Sequence, residues 1–129
     1  MKIVNSKKTY SWVLLRHVGA PDDIRGVHFD FLVEDKEFCR TWRLSDIPVL
    51  DGPYVDSVYI VPHSLDWLHV KEKVISGNRG VATRVKKGQF FNLLPGIEKS
   101  FIKLSLNWED VQSDLLINEN GCRVFSKNN

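Results

Sequence analysis

In this chain, His28-Phe29-Asp30-Phe31 combines residue types and spacing that could do chemistry. Side chains alternate across a strand, so an extended 27–34 segment puts His28 and Asp30 on one face and Phe29, Phe31 and Val33 on the other. The aromatic face calls for burial, which leaves the His/Asp face for polar work. His17 follows the apolar run 11–16, and pairing that run with 27–34 brings it towards His28 and Asp30. Two imidazoles and a carboxylate converging this way make a facial ligand set for Mn²⁺, Zn²⁺ or Fe²⁺, with positions open to water and substrate. The same spacing also serves a hydrogen-bonded pair that holds no metal. His63 and His69 lie near Pro62 and Trp67, where an imidazole can cap a turn.

Strands must do the positioning. Segments rich in β-branched and aromatic residues recur at 10–16, 27–34, 38–44, 55–61, 80–85, 89–93, 101–106, 115–117 and 122–125. Polar tips at 33–37, 86–88 and 118–121 read as hairpin turns, with Asn120-Gly121 the clearest of them. Short strands at this spacing predict a mainly β fold, a small antiparallel β-barrel with short helical turns, since closure removes exposed edges. Helix is expected only over 64–73, behind a Ser64 N-cap, with weaker signals at 22–25, 45–47 and 108–111. Trp12 and Trp42 fall in apolar strand patterns and are assigned to the core, and Trp108 to the end of the barrel. The tail 126–129 is expected to fray.

With 129 residues, 43% of them apolar, the chain suits one domain over 1–129 and one core. Its net charge of +2, from 18 basic and 16 acidic residues, creates no global field for nucleic acid or anionic lipid, so any polyanion must be held by a local cluster. The apolar run 12–15 is far short of the roughly 20 residues of a membrane span, and of a secretory core of roughly 7 to 15. The expectation is no membrane insertion and no export. Cys39 and Cys122, on segments that read as strands, are expected to be reduced thiols of a cytoplasmic protein.

Taken in order, four segments resemble the 3′-phosphoesterase domain of bacterial DNA ligase D, and most closely its small stand-alone bacterial relatives. They are Trp12-Val13-Leu14-Leu15-Arg16-His17, His28-Phe29-Asp30-Phe31-Leu32-Val33-Glu34, Arg40-Thr41-Trp42-Arg43-Leu44, and Pro62-His63-Ser64-Leu65-Asp66-Trp67 with the later turn Gly77-Asn78-Arg79-Gly80. The resemblance spans about residues 10–92. It implies a small β-barrel that uses Mn²⁺ to remove 3′-phosphates and 3′-ribonucleotides from DNA ends. By position it implies His17, His28 and Asp30 as metal ligands, with His63 on the scissile phosphate.

The match is incomplete where that family binds phosphate. Leu32, Asp46 and Val55 stand where the family has cations, Trp67 replaces a tyrosine, and the loop between His17 and His28 is longer, with Pro21, Asp22, Asp23 and Gly26. Leucine cannot make the bidentate bonds of an arginine. Arg79 and Arg16 are the candidate replacement cations, with Arg79 and His63 in catalytic roles and Trp67 a surface for base or sugar stacking. Arg40, Arg43 and Arg84 read as solvated strand faces, and Lys71, Lys73, Lys86, Lys87 and Lys99 as a basic flank or plain soluble surface. Three readings stay open. One is a Mn²⁺ phosphoesterase (Zn²⁺ or another divalent transition metal being the alternative) acting on nucleic-acid 3′ ends or another phosphoester. The others are a non-catalytic module binding nucleic acid or protein, and a structural hydrogen-bond network without metal.

Overall fold

Alternating apolar and polar positions, broken by residues that tolerate tight turns, give strands along most of the chain, and all their pairings are antiparallel. The computed structural model describes residues 9–21 and 23–127. Its elements are β1 (Tyr10–Val18), β2 (Val27–Asp35), β3 (Phe38–Leu44), β4 (Ser57–Ser64), a 3-10 turn (Leu65–His69), β5 (Glu72–Val74), β6 (Val81–Phe90), β7 (Ile102–Trp108), β8 (Val111–Asn118) and β9 (Gly121–Ser126). The strand order is β4-β3-β2-β1-β6-β7-β8-β9, with β5 beside β6. The sheet curls into a half-barrel, and a bridge between Val55 and Cys122 links β9 to the segment before β4 through hydrogen bonds of 2.9 and 2.8 Å. Gly121 makes that approach possible: its φ is +117°, and a Cβ there would lie 2.1 Å from the Val55 carbonyl oxygen.

The mainly β antiparallel expectation holds, with local corrections. Residues 86–88 are not a hairpin tip; they lie inside β6, facing Leu14, Val13 and Trp12. Gly88 is there for packing, because a Cβ would sit 2.7 Å from the Trp12 indole nitrogen, and the register shift beside Leu14 and Leu15 absorbs an extra residue as a bulge. Residues 64–73 form no α-helix. Ser64 caps as expected, its Oγ accepting from the Asp66 N–H at 3.1 Å, but only a 3-10 turn follows before β5 begins. Segments 45–47 and 108–111 are not helical, and Trp108 ends β7. Within 22–25, Asp22 lies outside the described residues, as do 128–129 of the expected frayed tail; Ser126 belongs to β9.

One side of β1–β3 faces the main core, where Trp12, Leu14, Phe31, Val33, Trp42 and Leu44 pack with residues from β6 to β9. Trp12 stacks on Trp108 with ring centroids 5.1 Å apart. The other side carries a smaller cluster of Val13, Leu15, Leu32 and Cys39, covered by Leu65, Trp67 and Leu68 of the 3-10 turn. Burial pushes the Cys39 and Cys122 thiols up to about 12, so neither offers a reactive thiolate near neutral pH. Among the described residues, no helix is long and apolar enough to cross a membrane.

Candidate metal centre

At one end of the covered face, the β1–β2 register pairs His17 with His28 and Leu15 with Asp30. Alternation then sets His17, His28 and Asp30 side by side, while Phe29 packs against the main core. The candidate ligand atoms of the three lie within 4.8 Å of one another, and the two imidazoles meet edge to face at 4.8 Å between centroids. His28 and Asp30 are each only 5% exposed, so a bound ion would be shielded from most of the solvent.

Each imidazole is oriented through the nitrogen that faces away from the group. His28 Nδ1 donates to Asp23 Oδ2 at 2.8 Å, and Asp23 is held there by a loop closed between Gly19 N–H and the Gly26 carbonyl at 3.1 Å. His28 Nε2 is buried without a hydrogen-bond partner and faces Asp30 Oδ2 at 3.6 Å, too long for a hydrogen bond. His17 Nε2 donates to the Arg79 carbonyl at 2.8 Å, which leaves its Nδ1 as the nitrogen available to a metal. Gly80 allows that contact: its φ is +94°, and a Cβ would lie 2.0 Å from the Val18 carbonyl oxygen, so the 76–80 turn packs against the end of β1. An imidazole that donates one N–H to a carboxylate or carbonyl and turns the other nitrogen inwards is the usual arrangement around a bound metal. His28 Nε2, buried without a hydrogen bond beside the Asp30 carboxylate, is where a divalent transition metal would bind.

Charge is balanced from the neighbouring strand. Arg43 on β3 pairs with Asp30 in register, and its Nε donates to Asp30 Oδ1 at 3.2 Å. Burial pushes the Asp30 carboxyl up, but His28 and Arg43 more than offset this and leave it below the usual carboxylate value. The hydrogen bond from His28 likewise lowers Asp23. His28 is raised above 6.5 by Asp30 and Asp23 against the opposing effect of burial.

A pH dependence follows for the metal-free protein. The raised His28 pKa contributes stability that is complete below the unfolded value of about 6.5 and is lost as pH rises through the folded value. Parent and His28→Gln, unfolded in urea, should differ most at about pH 5.5 and less at about pH 9. An equal difference at both would mean that His28 gains no proton affinity on folding.

No family model and no curated protein matches the chain.

The remaining expected site residues lie elsewhere. Arg79 brings its carbonyl to His17, but its guanidinium folds back on its own turn, with Nε bonded to the Ser76 carbonyl at 2.7 Å and Nη2 to Ser76 Oγ at 3.2 Å. Arg16 pairs with Phe29 and so projects from the opposite face to His17. His63 pairs with Cys39, four residues along β3 from Arg43, which places it roughly 13 Å along the strand from Asp30 and two strands across. The apolar Leu32 cluster lies between them, and His63 instead bonds the Val61 carbonyl through Nδ1 at 3.1 Å. Trp67 is partly buried against that cluster, with Lys73 Nζ 5.3 Å from the ring centroid, so a base would have to displace the lysine to stack on that side. Two clefts, of about 710 and 400 Å³, are lined by none of these residues.

Sequence reasoning missed Asp23 and Arg43. A signal existed for Arg43: the β2–β3 turn falls at Lys36-Glu37, and counting back from it sets residue 43 opposite residue 30. Nothing comparable pointed to Asp23, whose position depends on the loop's path.

Proposed function

We propose that this chain is a metal-dependent phosphoesterase-like domain, similar to the end-processing module of DNA ligase D, that holds Mn²⁺ or a related divalent transition ion at His17, His28 and Asp30. The observation that carries the reading is the buried His28 Nε2, without a hydrogen-bond partner, facing Asp30 while Asp23 orients the same ring. The substrate class is a nucleic-acid 3′ end or another phosphoester, in a cytoplasmic protein. A divalent ion there would polarise the phosphoryl group and make water a better nucleophile. The chain's own residues orient the ligand set and set its charge. In hydrolysis of a 3′-phosphate, a water oxygen bonds to phosphorus as the P–O3′ bond breaks, the 3′ oxygen takes up a proton that the water supplies, and inorganic phosphate leaves.

A second reading, a metal-bearing module without catalysis, is favoured by two observations: the Arg79 guanidinium is tied to Ser76, and Leu32 leaves β2 without a cation beside Asp30. Metal analysis of protein purified without an affinity tag, followed by turnover of a 3′-phosphate oligonucleotide, separates the two. The proposal expects close to one ion per chain, and phosphate release that stops on chelation and returns with Mn²⁺. A loaded protein that releases no phosphate leaves the binding module, and a protein that takes up no metal removes both.

A further inference from the structure

Among the described residues, Arg43 combines a direct contact to the candidate ligand group with access to solvent. Its Nε is committed to Asp30, while its terminal guanidinium nitrogens make no hydrogen bond to the described residues. The side chain is 39% exposed where that of Asp30 is 7% exposed, so the guanidinium forms the outer lip of a group that is otherwise buried.

The geometry points to Arg43 as the residue that receives the phosphoryl oxygens of a substrate at the His17/His28/Asp30 centre. This assignment rests on the function proposed above and names the residue that would recognise the anion. Charge supports it. A divalent ion held there would be neutralised by Asp23 and Asp30, and since imidazoles ligate in their neutral form the centre would then have no net attraction for a phosphate. Arg43 adds the missing positive charge. A guanidinium also presents donors in a planar fork that matches two phosphoryl oxygens, and one anchored by a carboxylate has less freedom to lose on binding.

The other arginines fit less well. Arg16 is on the wrong face, the Arg79 guanidinium is occupied by Ser76, and Arg25 reaches Asp46 at 3.9 Å. Arg84 faces the same side but pairs with Leu15, about 10 Å from Asp30 across two strand spacings. From sequence Arg43 reads as a solvated strand face, and it is the β2–β3 register that sets it opposite Asp30.

The test measures Mn²⁺ affinity by calorimetry, and inorganic phosphate binding to the Mn²⁺-loaded protein by phosphorus NMR line broadening. Arg43→Gln should leave Mn²⁺ affinity unchanged or tighter, since Asp30 loses a competing cation, and should weaken phosphate binding roughly 10- to 100-fold. Arg43→Lys should restore part of the loss, because it keeps the charge without the fork. The assignment is overturned if Arg43→Gln binds phosphate like the parent, if the loaded parent binds none, or if metal and phosphate affinity fall together with the thermal midpoint, which is the signature of a structural role. A parent that takes up no Mn²⁺ overturns the metal reading itself, and this is seen before any variant is compared.

Discussion

His28→Ala is expected to lower Mn²⁺ affinity by more than about 100-fold while the half-barrel stays folded, because loss of a ligand must exceed the 10- to 100-fold cost typical of losing a residue that only orients one. His28 lies outside the main aromatic core, so its truncation removes a metal-facing nitrogen without opening the Trp12–Phe31 packing. Asp23→Asn provides the graded comparison. It keeps the shape but loses the carboxylate that accepts from His28 Nδ1, and should cost about 10- to 100-fold. Arg16→Ala, on the opposite face, should change metal affinity little. Calorimetry on the three variants gives the order, and thermal melts establish that each is folded. If His28→Ala binds Mn²⁺ as tightly as the parent, the ligand assignment is wrong.

Trp12→Ala should produce the largest loss of stability, about 3 to 5 kcal/mol, the range for truncating a fully buried large aromatic side chain. Trp12 is fully buried, with centroids 5.1 Å from Trp108 and 5.7 Å from Phe31, and Gly88 fits against its indole. Such a loss is a large share of the roughly 5 to 15 kcal/mol typical of a domain. It should lower the thermal midpoint by roughly 10 to 20 °C. Phe29→Ala is the comparison: that ring is only partly buried, so its loss should be clearly smaller. Urea unfolding of both variants provides the measurement. Equal losses would show that burial on the main-core face does not set the energetic ranking.

His28→Ala and Trp12→Ala probe opposite faces of the same strand pair, and those faces are legible in the sequence. The spacing of His28 and Asp30 against Phe29, Phe31 and Val33 assigns two sides to β2. Pairing with the strand that carries His17 then brings the three polar residues together. Arg43 was legible in principle, through the turn at Lys36-Glu37, but reading 33–37 as one broad polar tip left the register uncounted. Residues 86–88 misled because two lysines and a glycine resemble a turn when the neighbouring strands are unknown. In the fold that glycine is the space into which Trp12 packs.

By itself, the sequence determined the strand-dominated fold, the burial of Trp12 and Trp42, and the shared face of His28 and Asp30. These follow from period-two alternation and local turn chemistry, which act over a few residues. Tertiary structure alone decided that Asp23 folds back onto His28, that the Arg79 carbonyl rather than its guanidinium meets His17, and that His63 lies beyond an apolar cluster from Asp30. Each depends on chain segments distant in sequence packing so closely that a single Cβ decides the outcome, as at Gly80 against Val18 and Gly121 against Val55. Such contacts are set by the sum of many weak packing terms across the sheet, which no local pattern of residues encodes.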